Sequence, residues 1–312
     1  MTRRIPENQF AKVRFIPQIG TRTGSGMYNS LKMIIFKRFD DLQNYVANNR
    51  TKTIQVGFVP TMGALHPGHI SLMEASRAVA GITVCSLFVN PNQFNDPVDY
   101  EKYPVDTEKD IEMLEKAGTD ILFLPSVEEI YPTGTILENF NIGYLETILE
   151  GRYRPGHYQG VCQVMSRLLK GIGPDHLFMG QKDFQQCLVV KELITQLPLP
   201  VKLHTVPTFR EPDGLAMSSR NSRLSPQQRK NAAAIYRALL YIRDQLSTGD
   251  PSPLLSTAQE MLEAAGFKTD YIAIARTRDL RPLVLWNEKE KAVALIAAFQ
   301  GDVRLIDNML LN

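Results

Sequence analysis

From Met33 onward, short continuous apolar runs alternate with stretches whose apolar residues recur every three or four positions. Runs at Met33–Lys37, Gln55–Pro60, Ile82–Val89, Asp120–Leu124, His176–Met179 and Val201–Thr208 predict strands buried on both faces. Between them the spacing predicts helices. One spans Asp40–Ala47, with Asp40 or Asp41 as its cap, and one spans Gly68–Ala80, with Leu72, Ala75 and Val79 on one face. Others span Asp106–Ala117, closed by Gly118, and Phe184–Thr195. The clearest helical period covers Tyr158–Ile172, where Tyr158, Val161, Cys162, Met165, Leu168, Leu169 and Ile172 share a face. Strands of this kind, separated by helices, predict a parallel sheet covered on both sides.

The texture changes after Phe209. Helices are expected over Pro226–Gln245 and Pro253–Ala265, then short strands at Asp270–Ala275, Lys291–Ala298 and Val303–Ile306. The fold class is therefore α/β: a Rossmann-like, doubly wound parallel sheet with a second, smaller α+β domain at the C-terminus. Three segments follow: 33–208 for the sheet domain, 209–312 for the smaller one as a lid, and 1–32 as a flexible N-terminal extension. That extension is Arg-rich, acid-poor and without strong period, and a short organelle-targeting peptide is its rival reading.

Composition narrows the class. The 312 residues fit roughly two domains at about 100–200 residues each, and 44% hydrophobic content supports a sizeable core. A net charge of +2 gives no reason to expect a nucleic-acid or membrane partner. No apolar run reaches the ~18 residues of a membrane span. Cys85, Cys162 and Cys187 are far apart and sit in apolar runs, which argues against disulfides and zinc and for a reducing cytoplasm.

Five polar segments carry candidate chemistry. Pro60-Thr61-Met62-Gly63-Ala64-Leu65-His66-Pro67-Gly68-His69 runs from a strand into a helix. A helix N-terminus offers free N–H groups to phosphate, and its glycines let backbone approach a ligand. His66 and His69 can both face that phosphate as imidazolium donors. Caps or surface residues are the ordinary alternative, and a metal site lacks a third ligand. Phe88–Phe94 follows the next strand, and its Asn90 and Gln93 suit a substrate rich in oxygen. Arg154 and His157 precede the strongest helix and could meet a carboxylate or phosphate. At Gly180-Gln181-Lys182-Asp183, Lys182 offers a compact charge, Asp183 a cap or a ribose acceptor, and Gln186 lies one turn on. Ser218, Ser219 and Arg220 lie on a glycine-containing loop suited to clamping phosphates.

The first segment resembles the HxGH nucleotidyl-transfer superfamily and, taken whole, the pantothenate synthetase family. The family patterns FVNPxQF, RPxHxxGV, GEKDxQQ and DGLAMSSR follow in order, so the resemblance runs from about Met33 to Asn312. It implies an ATP-dependent ligase that adenylates pantoate and passes the acyl group to β-alanine. It assigns ATP to Met62, Gly63, Ala64, Leu65, His66, Pro67, Gly68 and His69, to Gly180, Gln181, Lys182 and Asp183, to Phe209, and to Met217, Ser218, Ser219 and Arg220. Of these, His66, His69, Lys182, Ser218, Ser219 and Arg220 would stabilise charge in catalysis. Pantoate and β-alanine fall to Pro60, Thr61, Asn90, Gln93, Arg154, His157 and Gln186. Asp110 matches an acidic position associated with Mg²⁺, although Lys109 stands beside it, and the family commonly forms homodimers. Val105, Gln181 and Phe209 depart from common family residues. The rival classes are a nucleotidylyltransferase, a class I aminoacyl-tRNA synthetase and a non-catalytic nucleotide sensor.

Overall fold

The computed structural model describes residues 33–312, and the extension expected at 1–32 lies outside them. The described residues fall in one compact unit. Six strands form the main sheet: β1 (Ile34–Phe36), β2 (Val56–Thr61), β3 (Ile82–Leu87), β4 (Ile121–Phe123), β5 (His176–Gly180) and β6 (Lys202–Val206). Their order is β1-β4-β3-β2-β5-β6, and every pairing is parallel. The sheet is α/β and doubly wound; β2 to β5 are buried on both faces, as their apolar runs predict, whereas the edge strands β1 and β6 are not, and β6 has no buried residue. A second sheet of β7 (Phe267–Arg276), β8 (Ala292–Gln300) and β9 (Val303–Leu310) is antiparallel.

Eleven α-helices are described among these residues. They are α1 (Phe39–Asn49), α2 (Pro67–Val79), α3 (Pro97–Glu101), α4 (Thr107–Lys116), α5 (Val127–Ile130), α6 (Leu149–Tyr153), α7 (His157–Ile172), α8 (Phe184–Gln196), α9 (Pro226–Ala232), α10 (Ala234–Gln245) and α11 (Ser252–Ala264). Leu42 and Val46 of α1, most of α7, and Val189 and Leu193 of α8 pack one face of the main sheet. Leu72 and Met73 of α2 and Leu114 of α4 pack the other. A separate core gathers α10, α11 and the second sheet.

Three local expectations change. The N-cap of α1 is Arg38, without a side-chain cap; Asp40 and Asp41 lie in the first turn, and Glu129 accepts from the Phe39 N–H at 2.8 Å instead. Val79 is 47% exposed, so the buried stripe of α2 runs through Leu72, Met73 and Ser76. The long helix expected at 226–245 is broken at Ala233 into α9 and α10.

The two sheets are joined by buried polar groups. Arg304 of β9 donates to both Glu150 oxygens at 2.7 and 2.8 Å and to Asp270 at 2.7 Å, and Tyr271 Oη donates to Glu150 at 2.8 Å. Burial raises the Glu150 carboxyl, but Arg304 outweighs it and holds the group below its usual range. Removing one member would leave an unpaired buried charge, typically costing about 3–5 kcal/mol.

Gly160 of α7 lies against the turn that follows β3. A Cβ there would overlap the Asn92 carbonyl. Gly160→Ala is therefore expected to destabilise the fold by about 1–3 kcal/mol, as overpacking commonly does. Urea unfolding would read this, and an unchanged midpoint would contradict the close approach.

Candidate active site

Parallel pairing brings the ends of β2, β3, β5 and β6 to one edge of the sheet. β2 and β5 are neighbours there, and from them the chain winds outward in opposite directions. Such a reversal leaves a crevice at the carboxyl ends of the strands. A cleft of about 1420 Å³, its open mouth included, opens at that edge. It is lined by Pro60, Thr61, Met62, His66, Gly68, His69, Asn90, Gln93, Arg154, His157, Gly180, Lys182, Asp183, Gln186, Phe209, Met217, Ser218, Ser219 and Arg220. Gly63, Ala64, Leu65, Pro67 and Gln181, also expected at a nucleotide, do not line it. Buried His66 Nδ1, Ser86 Oγ and Thr208 Oγ1 belong to cleft-lining residues and have no protein partner. Unsatisfied buried polar atoms are uncommon and fit a site that receives a polar ligand.

The turn between β2 and α2 is held from beneath. Gly63 and Ala64 take positive φ, +85° and +51°. Asp110 of α4, 2% exposed, accepts from Ala64 N at 2.9 Å and Leu65 N at 2.7 Å, one bond to each oxygen. Burial raises its carboxyl despite both amides. α2 then begins with His66 N–H donating to His69 Nδ1 at 3.2 Å, and the two rings lie 4.0 Å apart. Because His69 Nδ1 accepts, its proton sits on Nε2. Burial, with Lys182 nearby, lowers His66 to about 4. Burial and the neighbouring His66 put His69 well below its usual value. Desolvation by the protein alone thus favours neutral rings, and a neutral ring still offers an N–H to a phosphate.

Asn90 lines the cleft and holds the turn after β3. It is 1% exposed. Its Nδ2 donates to Gly160 O at 3.0 Å and Gln93 Oε1 at 3.2 Å, while Oδ1 accepts from Asn92 N at 3.3 Å and Tyr131 Oη at 3.0 Å. Two donors and two lone pairs are all in use. Asn90 therefore builds the turn, and Gln93, whose Oε1 accepts from Asn90 and whose Nε2 donates to Met62 Sδ at 2.8 Å, lines the cleft next to it. Beside it, His157 Nδ1 lies 2.7 Å from Gln93 O, and Arg154 reaches His157 Nε2 at 3.1 Å. Burial, reinforced by Arg154, lowers His157 to about 3, so its neutral ring donates to Gln93 O and accepts from Arg154. The Gln186 side chain makes no hydrogen bond among the described residues and lines the cleft. Asp183 makes no side-chain cap at α8, which removes the capping alternative.

The clamp loop is tied across the mouth by a residue that the sequence did not single out. Asp99 of α3 accepts from Arg220 at 2.7 Å and Arg223 at 2.9 Å. Burial raises the Asp99 carboxyl, but the two guanidinium groups outweigh it and hold the group low. Ser219 Oγ lies 3.4 Å from Tyr103 Oη. An acid in an ordinary polar run carries no local signal of such a partner 121 residues away.

Residues 34–310 match the family described as Pantoate-beta-alanine ligase. The chain belongs to that family. Curated pantothenate synthetases from Cytophaga hutchinsonii and Bacteroides thetaiotaomicron are each 41% identical to it, over 89% of this chain and 99% and 98% of theirs. The pantothenate synthetase structure from Thermus thermophilus superposes with a TM-score of 0.82 at 41% identity, covering 89% of this chain and 99% of that one. A Francisella tularensis pantoate-beta-alanine ligase, complexed with beta-gamma ATP and beta-alanine, gives 0.75 at 35% identity, covering 89% and 98%.

For a pantoate–β-alanine ligase, Asp110 has two candidate roles, holding the turn and meeting magnesium. Both its oxygens accept from amides of the turn. If Asp110 shapes the turn, Asp110→Asn should weaken ATP binding in EDTA as well as in magnesium. Calorimetric titration decides: a defect seen only with magnesium would assign the metal role.

Three imidazoles whose protonation desolvation opposes also set a pH dependence. Their folded values lie below the usual 6.5, so the unfolded chain binds more protons between about 6.5 and about 3–4, and stability must fall as pH falls through that window. Urea midpoints at pH 7.5, 6 and 5 should decline. His157→Gln should flatten the decline by up to about 1.4 kcal/mol per pH unit. A midpoint that rises toward pH 5 would refute the neutral assignment.

Proposed function

We propose that the chain ligates pantoate to β-alanine with ATP, through pantoyl adenylate. Family membership gives the ligation of the two acids. One observation supports the ATP half: His66, His69, Lys182, Ser218, Ser219 and Arg220 share a cleft with Gln93, Arg154, His157 and Gln186. In the first step a pantoate carboxylate oxygen bonds to the α-phosphorus and the bond to pyrophosphate breaks. Lys182 and Arg220 supply positive charge, while His66, His69 and the serines donate hydrogen bonds to the growing anion. In the second step the β-alanine amine bonds to the acyl carbon, loses a proton, and AMP leaves. No side chain forms a covalent intermediate. Burial raises Cys162 and Cys187 to about 12 and Cys85 further, so none is a ready nucleophile.

Magnesium would enter with the nucleotide's phosphates and water, as it commonly does at such sites. Three free thiols suit a cytoplasmic setting, and no described helix is long and apolar enough to cross a membrane. The lid role of 209–312 and a homodimer through the 33–208 part complete the reading.

The decisive experiment measures pyrophosphate and AMP with substrates added singly. Pyrophosphate should require pantoate, and AMP release should require β-alanine as well. Gln186→Ala should raise the KM for pantoate roughly two- to twelve-fold, the loss of one neutral hydrogen bond, with ATP little affected. Lys182→Ala should reverse that bias. Pyrophosphate released with a phosphate monoester in place of pantoate, the adenylyl group passing to that phosphate and no AMP appearing, would point to a nucleotidylyltransferase.

A further inference from the structure

The second sheet carries a residue whose bonding is spent on the turn that holds Lys182. Asn308 of β9 is 1% exposed. Its Nδ2 donates to Gln181 O at 2.9 Å and to Lys182 O at 2.9 Å, and its Oδ1 accepts from Gln181 Nε2 at 3.2 Å. All three side-chain bonds therefore go to one dipeptide, 126–127 residues away in sequence. That dipeptide opens the 3-10 turn Gln181–Asp183 between β5 and α8. The turn makes no side-chain cap of its own at either end. The preceding residue of β9, Asp307, grips Arg210 at 2.6 and 3.1 Å, and Arg210 in turn donates to Asn308 O at 3.2 Å. One two-residue step of β9 thus touches both the turn of Lys182 and the start of the segment leading to Ser218–Arg220.

We propose that Asn308 is a positioning residue for Lys182. It fixes the backbone on either side of the Lys182 Cα, so that the ammonium projects into the cleft beside His66 and His69. The geometry requires an amide. An aspartate would set a carboxylate against two carbonyl oxygens, and an alanine would leave both carbonyls without this donor. Gln181 is the matched partner: its Nε2 donates where a glutamate would present a second acceptor to Asn308 Oδ1. The inference rests on the proposed role of Lys182 at the nucleotide phosphates, and it adds a contribution from the second sheet to a site otherwise built on the first.

The test is a double-mutant cycle, read in kcat/KM for ATP and in urea midpoint. Lys182→Ala alone should lose at least ~10-fold, the scale of a hydrogen bond to a charged group. Asn308→Ala alone should lose a comparable factor and leave the KM for pantoate within about two-fold. In the Lys182→Ala background, Asn308→Ala should cost less than ~2-fold further, because what it positions is gone, while its cost in stability should be the same in both backgrounds. If the two activity losses multiply, Asn308 has a purely structural role and the proposal falls. A Lys182→Ala variant with unaltered ATP kinetics would remove the phosphate role itself, and this inference with it. Should Asn308→Ala fail to fold, Asn308→Ser runs the same cycle: masking by Lys182→Ala supports the proposal, and multiplying losses or no loss overturn it.

Discussion

Parallel pairing of six strands is the constraint from which the site follows. Parallel strands all end on one edge, so the loops after β2, β3, β5 and β6 have to collect there, however far apart they lie in sequence. The reversal of winding between β2 and β5 then separates the helices that follow them, α2 toward one face and α8 toward the other. The cleft therefore opens where two helix starts and two strand ends converge. The chemistry of the loops is grafted onto that geometry.

Much of this was readable because it depends on period and punctuation. β2 through β5 are short, apolar and bounded by polar turns, and α7 keeps its apolar face for four turns, so local sequence names them. The segments ending at His69, Gln93, Asp183 and Arg220 were likewise visible as polar breaks after strands. What was not readable depends on pairing at a distance. Nothing beside Asn90 reveals that Tyr131 and Gly160 consume its hydrogen-bonding capacity. Nothing beside Asp99 announces two arginines, and nothing beside Phe39 announces Glu129. The charge state of His66 and His69 is hidden for a related reason: sequence shows the ring but not the desolvation by the protein that lowers its pKa. Asp110 is the converse, a carboxylate whose type suggested a cation and whose neighbours are two amides.

Buried polar ties, together with an apolar cluster of Val293 and Leu295 with Leu149, Phe184 and Leu188, connect the second sheet to the layer around the first. Glu150–Arg304 and Asp307–Arg210 are charge pairs with few alternative partners once water is excluded, and Asn308 adds a neutral one. Such ties favour one arrangement because each misalignment strands a charge or an amide. They also explain why the segment after Phe209 reads as separate from its sequence texture yet packs as part of the same compact unit.

The three cysteines offer a practical consequence. All are buried, and burial suppresses their thiolate form. Electrophiles and mild oxidants that attack thiolates should therefore find little to react with while the chain is native. Thiol labelling becomes an internal clock for opening of the fold. A cysteine introduced on the surface would carry a dye without first removing the natural three.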